Sequence, residues 1–223
     1  MKLAMKIKHI YTFFFSLLLV VPILAQKKVE EVEKWKYQPN FMVGVDLLNL
    51  GISFFSDRQV YQGFVSSQLT RNVHAVVEGG YEKNKYDKNG YDATANGPYL
   101  KIGGFYMLSK DRENPFNGFY AGAKLAGAFY NQEYAAIPVR GYGGSTSTEA
   151  FPSSSQTSFW LEGVIGGRVQ LFESNFYIDV TAQPRYLAYS SKQEDIVPMV
   201  VPGFGKGSGK FNMGFAWNIA YKF

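Results

Sequence analysis

Ten ionisable side chains interrupt otherwise apolar segments, and they are the residues whose types could support chemistry. Within each segment they fall at positions of the same parity, so a strand would place them on one face. Both signs of charge are present, and charges in a low-dielectric interior must pair. We therefore expect either a salt-bridged polar core or a path for protons or ions. The ten residues are Asp46, His74, Glu78, Glu82, Lys101, Lys124, Glu162, Arg168, Asp179 and Arg185.

His74 is the only histidine after residue 25, so a histidine-dependent catalytic centre would have to use it. Glu78 follows four residues later, about 13 Å away in a strand that rises about 3.3 Å per residue. That distance is too long for the carboxylate to orient the imidazole ring. We therefore expect that the protein is not an enzyme and that it has no catalytic residue.

Metal and cofactor motifs are also missing from the sequence. The chain has no cysteine, which excludes disulfides and thiol chemistry. Asp87–Asp92 lacks the spacing and the distal glutamate of an EF-hand. Gly203–Gly209 neither follows a buried strand nor opens a helix, as a phosphate-binding loop would, and we interpret it as a flexible loop. We predict no cofactor and no metal ligand.

The first 25 residues have the organisation of a secretory signal peptide. Three lysines precede an apolar run at Ile10–Leu24, and Ala25–Gln26 is a plausible cleavage point. The run is shorter than the roughly 20 residues of a membrane-spanning helix. Its removal lowers the formal net charge from +5 to +2, since residues 1–25 carry three lysines and no acid. This charge does not indicate a nucleic-acid partner.

The last thirteen residues, Phe211–Phe223, carry the strongest structural pattern. Every second residue is large and apolar or aromatic, which places seven such side chains on one face of a strand. A water-soluble strand is typically about 5–6 residues long, whereas a strand that crosses a bilayer needs about 9–11. The pattern therefore predicts a membrane-spanning strand with one face in lipid.

Seven further segments alternate in the same way, and together they predict an all-β fold, an eight-stranded antiparallel up-and-down transmembrane β-barrel. Short connections follow the second, fourth and sixth strands, and long loops at 84–97, 131–156 and 190–209 follow the third, fifth and seventh. Only the connection after the first strand, near Ser56, is shorter than this alternation predicts. Eight strands leave an interior that side chains can fill, so we expect a closed lumen. The predicted strands are Phe41–Phe55, Gln59–Leu69, Val73–Lys83, Pro98–Ser109, Phe116–Tyr130, Thr157–Phe172, Asn175–Tyr189 and Phe211–Phe223.

The terminal residues Tyr221 and Phe223, with the alternation before them, resemble the C-terminal signature that the assembly machinery of bacterial outer-membrane barrels recognises. In architecture the chain resembles the small OmpA/OmpX-like barrels and uncharacterised barrel proteins of the Bacteroidota. The resemblance implies a barrel in the outer membrane of a Gram-negative envelope. Residues 1–25 would then be the signal peptide, 26–40 a periplasmic lead-in and 41–223 the barrel.

Three functions are compatible with this architecture. The leading prediction is a non-enzymatic barrel with a structural or surface-interaction role, and the alternative is a narrow conduit for small apolar molecules. The third is a lipid-modifying enzyme, as in barrels that deacylate lipopolysaccharide. The expected partners are outer-membrane lipids, the assembly machinery and a possible surface partner at loops 131–156 and 190–209. We expect a monomer.

The sequence also predicts two details of side-chain placement. A two-residue turn at Glu173–Ser174 would pair residues whose numbers add to 347, which brings Arg168 opposite Asp179 and Glu162 opposite Arg185 in the lumen. The opposite face would then meet lipid, at Val65, Val77, Leu125, Ile165, Val180, Phe215 and Trp217.

The apolar segment Ile196–Val201 lies in the predicted loop 190–209. It could fold over the mouth of the barrel, or it could stay exposed and contact lipid or a partner.

Overall fold

A computed structural model of the chain describes residues 40–109, 114–141, 146–193 and 196–223. The predicted signal peptide and nearly all of the predicted lead-in lie outside the described residues. No helix in the described ranges is long and apolar enough to cross a membrane.

Eight antiparallel strands close into a barrel, which confirms the predicted fold class. The barrel strands are β1 (Phe41–Asp46), β2 (Arg58–Gln68), β3 (Val73–Lys88), β4 (Tyr91–Met107), β5 (Gly118–Arg140), β6 (Thr146–Gln170), β7 (Phe176–Ser190) and β10 (Phe211–Lys222). Their order around the barrel is β1–β10–β7–β6–β5–β4–β3–β2. Each barrel strand hydrogen-bonds to its neighbour in sequence, and β1 pairs with β10 to close the ring. The remaining elements are helix α1 (Leu47–Ser53) and the short strands β8 (Val200–Val201) and β9 (Gly205–Lys206).

Phe41 and Phe223 lie at the same end of the barrel, where Phe223 N donates to Phe41 O at 2.9 Å. We call this the terminal end and the opposite one the mouth end. The connections β2–β3, β4–β5 and β6–β7 lie at the terminal end, as the alternation of short and long connections predicted.

The outer surface is an apolar band with aromatic edges. The seven predicted lipid-facing residues are all exposed on this surface, which confirms their orientation. Two strands carry exposed aromatic residues ten positions apart, and ten residues at about 3.3 Å, tilted by about 40°, span about 25 Å along the barrel axis. That distance equals the usual height of the lipid-facing band. The two pairs are Phe119 and Phe129, and Phe176 and Tyr186.

The first predicted strand is shorter than expected, because β1 ends at Asp46 and α1 follows. The Asp46 carboxylate accepts from the backbone N–H of Leu48 and Asn49 at 3.0 and 3.2 Å, so it is the N-cap of the helix. The prediction of one strand over Phe41–Phe55 was therefore wrong, since a capping aspartate ended the strand within the apolar run.

The loops predicted at 84–97 and 131–156 are largely strand. β3 and β4 meet at Asn89–Gly90, whose φ values of 57° and 82° are those of a two-residue hairpin turn. β5 and β6 likewise continue to Arg140 and from Thr146. The polar composition of both segments was misread as loop, because backbone pairing above the membrane band needs no apolar face.

Candidate functional site

Five charged side chains from five consecutive strands form a buried cluster across the middle of the lumen, which we call the charge cluster. Lys101 Nζ lies 2.6 Å from Glu78 and 3.1 Å from Glu162. Lys124 contacts the same two carboxylates at 2.5 and 3.2 Å. Arg185 Nε lies 2.9 Å from Glu162. Because every member bonds to a neighbour, the cluster fixes five strands relative to one another and fills the lumen with paired charge.

Besides its ion pair with Glu162, Arg185 donates hydrogen bonds to two neutral oxygens. Arg185 Nη1 donates to Phe204 O at 3.1 Å and Nη2 donates to the Gln183 side chain at 2.6 Å. Arg185 therefore links the charge cluster to the connection between β7 and β10.

A second ion pair lies nearer the terminal end. Arg168 Nε is 2.7 Å from Asp179, which also accepts from the hydroxyl of Tyr120 at 2.8 Å. The guanidinium carbon lies 5.2 and 5.5 Å from the ring centroids of Phe105 and Tyr120. Such contacts with ring faces favour a cation in an apolar site.

The predicted register of β6 and β7 is confirmed. Arg168 pairs with Asp179 and Glu162 with Arg185. The turn between the strands is longer than predicted, because β6 ends at Gln170 and β7 begins at Phe176. Phe172 adopts a left-handed φ of 53° within this turn, which lengthens the connection without changing the register.

Three of the predicted lumen residues join neither ion-pair group, and one of them, Glu82, pairs with Arg58. Asp46 is buried, but its carboxylate caps α1 and accepts from Gln62 at 3.4 Å. The buried His74 ring stacks on Phe105 at 4.9 Å and meets the edge of Phe116 at 5.6 Å. This aromatic setting is typical of a core histidine, and it places the ring near the terminal end of β3.

The segment 196–210, which we call the mouth loop, folds into the mouth end of the barrel. Val201 and Phe204 are completely buried, and the Phe204 ring lies edge-on to Trp160 at 5.9 Å. The prediction of a flexible Gly203–Gly209 loop was therefore wrong at its beginning. Of the two possibilities for Ile196–Val201, Val201 folds over the lumen, whereas Val197 remains 47% exposed.

A further buried carboxylate, that of Glu82, holds the mouth loop in place. Glu82 is completely buried and lies 2.8 Å from both Arg58 Nε and the backbone N–H of Gly203. Gly203 has a φ of 75°, and a Cβ there would lie 2.5 Å from the Tyr99 ring, so only glycine fits without displacement. Glu82 and Gly203 therefore define where the loop enters the lumen.

The barrel wall is incomplete at the mouth end. β1 has six residues and pairs with β10 only over Asn218–Lys222 and with β2 only over Gly63–Ser67. Beyond these ladders no described strand stands between β2 and β10. We call this interruption the wall break.

Side chains around α1 replace part of the missing ladder. On the β10 side, Asp46 accepts from the N–H of Trp217 at 3.4 Å, and Asn49 donates to Phe215 O at 3.3 Å. On the β2 side, the Ser53 hydroxyl accepts from Val60 N at 2.8 Å and donates to Val60 O at 3.4 Å. These bonds satisfy backbone groups that would otherwise be unpaired at the edges of β10 and β2.

A cavity of about 580 Å³ lies at the wall break, between α1, the mouth loop and the barrel strands. Its lining includes the inward-facing Asn212 and Gly214 of β10 and also the outward-facing Met213 and Phe215. Both faces of one strand can line a cavity only where the cavity passes around the strand edge. The cavity therefore extends through the wall of the barrel. We call it the wall cavity.

Sequence reasoning missed the wall cavity, although one signal was available. The predicted connection near Ser56 is shorter than the other connections predicted at the mouth end, and Asp46 precedes a run of helix-forming leucines. Together these features could have indicated a short first strand. No group of three or more histidine, aspartate or glutamate residues within the described ranges is arranged to hold a metal ion.

The pairing and the outer band define a membrane-spanning antiparallel β-barrel with eight barrel strands. The chain belongs to the family described as Domain of unknown function (DUF6048), whose family model matches residues 7–223. The N-terminal β-barrel domain of Pseudomonas aeruginosa OprF is a solved structure similar to the chain, at 12% identity and a TM-score of 0.36, covering 83% of this chain and 100% of that one. No curated protein sequence matches.

Proposed function

We propose that the chain is a non-enzymatic outer-membrane barrel with a structural or surface-interaction role, in which the lumen is closed to ions. The observation that carries this proposal is the charge cluster, in which Glu78 and Glu162 each contact two or more cations from neighbouring strands. An ion that crossed the lumen would have to separate these buried pairs, which is costly. The mouth loop adds a second closure above them.

The outer-membrane location is supported by the apolar band and by the strand pairing around the barrel, which among the described residues leaves strand edges without a ladder only at the wall break. The rings of Tyr221 and Phe223 meet edge to face at 4.9 Å beside Phe176, so the residues of the proposed assembly signature form an aromatic cluster at the terminal end, in which Phe223 is exposed and Tyr221 half-buried. In this proposal the barrel is a monomer, with outer-membrane lipids and the assembly machinery as its partners. A surface partner would meet the β5–β6 extension within 131–156 more readily than 190–209, since much of the latter is buried.

The non-enzymatic role is supported by the position of His74. Its ring lies between Phe105 and Phe116 and far along β3 from the wall cavity, so it cannot reach a lipid headgroup at the mouth end. Mass spectrometry of lipid A from a deletion strain is expected to show the wild-type species. A changed number of acyl chains, restored by the wild-type gene but not by a His74→Ala variant, would contradict the proposal.

The alternative role as a conduit for small apolar molecules is favoured by one observation, the wall cavity. An apolar solute could pass from the mouth end into the membrane through the wall break without crossing the charge cluster. This role is compatible with a lumen closed to ions.

Conductance across planar bilayers tests the closed lumen. We expect no stable channels from the wild type and none from a variant in which the mouth loop is replaced by a short glycine–serine linker, because the charge cluster remains below it. Reproducible single channels from the wild type that change with Lys101→Ala or Lys124→Ala would contradict the proposal.

A further inference from the structure

We propose that the wall cavity binds an amphiphile that has a single acyl chain and an anionic head group, and that the chain enters from the surrounding membrane through the wall break. This inference rests on the membrane position given under Proposed function. It goes beyond that role because it assigns a ligand-binding site and the class of its ligand.

The size of the cavity suits such a ligand. Its volume of about 580 Å³ lies within the range of about 300–1,000 Å³ that is typical of small-molecule pockets. A lipopolysaccharide, which has several acyl chains, would not fit.

The charges of the lining favour an anion. Arg58, Arg185 and Lys206 line the cavity, and none of the described residues that line it is a carboxylate. Glu82 and Glu162 pair with the two arginines from below. The exposed side chain of Lys206 makes no ion pair with any described residue. Lys206 is therefore the cation best placed to bind an anionic head group.

Arg58 can contribute to the same head group. Three of its five N–H groups are used, two toward Glu82 and one toward Asn49. Its side chain is 32% exposed. Two donors are thus free, within the described structure, to face the cavity.

The apolar part of the lining suits an acyl chain. Leu48 and Ile52 of α1, Met199 of the mouth loop, and Met213 and Phe215 of β10 contribute apolar side chains. Methionine side chains adapt to an irregular apolar ligand. Positive charge and apolar surface therefore occur in one cavity, as an amphiphile requires.

The exposed apolar side chains at the wall break indicate that the ligand enters the wall cavity from the membrane. Phe54 and Phe55, which follow α1, are 76% and 93% exposed, and Met213 and Phe215 face outward from β10. Apolar surface of this extent is stable in contact with lipid and unfavourable in water. The wall break consequently connects the apolar part of the cavity to the bilayer.

Equilibrium binding of radiolabelled ligands to the full-length protein in phosphatidylcholine nanodiscs tests the proposal, with empty nanodiscs as the background. The probes are palmitate, lysophosphatidylglycerol and the neutral hexadecanol. Saturable binding of one molecule per barrel is expected for at least one anionic probe and not for hexadecanol. Comparison of the two anionic probes distinguishes a fatty acid from a lysolipid. Absence of saturable binding by both would overturn the proposal.

A charge variant and its matched control test the head-group site. Lys206→Glu should weaken binding of the anionic probe about tenfold or more, since it removes a charge-assisted contact and adds repulsion. Lys192→Glu makes the same charge change at another exposed lysine outside the cavity lining and should leave affinity unchanged. Equal effects of the two substitutions would contradict a specific site.

Two bulky variants test the route of the acyl chain. Met213→Trp fills the membrane side of the cavity and should abolish binding, whereas Ile196→Trp, on the mouth side and outside the cavity lining, should leave binding unchanged. Ile165→Trp is the control on the outer surface far from the cavity. Loss of binding in Ile196→Trp but not in Met213→Trp would show access from water and refute the route. Folding of each variant is checked by heat-dependent gel mobility.

Different results would contradict the closed lumen and the ligand-binding site. A wild type that conducts ions contradicts the closed lumen but leaves the ligand measurements interpretable. A folded, non-conducting wild type without saturable binding refutes only the ligand inference.

Discussion

At the terminal end β1 hydrogen-bonds to a strand on each side, whereas at the mouth end α1 stands between β2 and β10 and bonds to them mainly through side chains. The interiors differ in the same way. The terminal end is filled by side chains of the barrel strands and β4–β5 connection, such as Phe105, Phe116 and Tyr120. At the mouth end an inserted loop adds Val201 and Phe204 to the side chains of the barrel strands.

This difference indicates that the terminal end provides the global stability of the barrel, whereas the structure of the mouth end can vary. A complete ring of backbone pairing at one end is sufficient to close the sheet, so the other end can lose pairing where its freed backbone groups find side-chain partners. The charge cluster lies between the two apolar fillings and isolates them. We therefore expect substitutions at the terminal end to affect global stability and substitutions at the mouth end to act locally.

The largest effect is expected for Asp179→Asn at the terminal end. The substitution leaves Arg168 buried without its anion, and breaking a buried pair in this way costs about 3–5 kcal/mol. Urea unfolding of the protein in lipid vesicles measures the change in free energy of unfolding. The double variant Arg168→Met/Asp179→Leu should recover most of the loss, because it removes both charges. A loss in the single variant no greater than in the double one would contradict the ion-pair account.

A smaller effect is expected for Leu125→Arg in the middle of the outer band. An arginine near the bilayer midplane destabilises a barrel by about 2–4 kcal/mol. The control Phe172→Arg, in the β6–β7 turn, should cost about 0–1 kcal/mol, since it lies near the interface. Vesicle unfolding measures both, and equal losses would place Leu125 outside the lipid band.

The smallest effect on global stability is expected for Gly203→Ala at the mouth end. The added Cβ meets the Tyr99 ring and the φ of 75° is strained, which costs about 1–3 kcal/mol. The mouth loop should become accessible to protease while the free energy of global unfolding stays near that of the wild type. The control is Gly209→Ala, where a Cβ has space and φ is ordinary. Cooperative unfolding of the whole barrel at lower urea in Gly203→Ala would show that the two ends are not independent.

The terminal end could be predicted well from the sequence because its geometry follows from period-two alternation. The parity of Glu162, Arg168, Asp179 and Arg185 determines both their face and their register, and a longer turn at Phe172 did not alter either. The face on which a residue lies depends on its own strand, and the register depends on one pair of strands.

The mouth end could not be predicted to the same degree because its structure depends on contacts distant in sequence. Glu82 binds Gly203 across 121 positions, and Asn49 binds Phe215 across 166. The dipeptide Asn89–Gly90 is a local signal for a two-residue hairpin turn, but the polar residues around it led to the prediction of a loop. The wall cavity follows only from where β1 ends, which a single capping residue, Asp46, decides.

Residue-resolved hydrogen exchange along β10 tests the comparison most directly. Phe223 N donates to Phe41 O, so the alternation of an antiparallel ladder directs the N–H groups of Ile219 and Tyr221 toward β1 as well. The N–H groups of Met213 and Phe215 face the same side but lie at the wall break. The even-numbered residues, which bond to β7 along the whole strand, are the internal control.

We predict that the amides of Met213 and Phe215 exchange about 100-fold or more faster than those of Ile219 and Tyr221, because only the latter are protected by a strand ladder. The even-numbered amides of β10 should be protected throughout. Uniform protection of the odd-numbered amides from Met213 to Tyr221 would contradict the wall break, and with it the distinction between the two ends of the barrel.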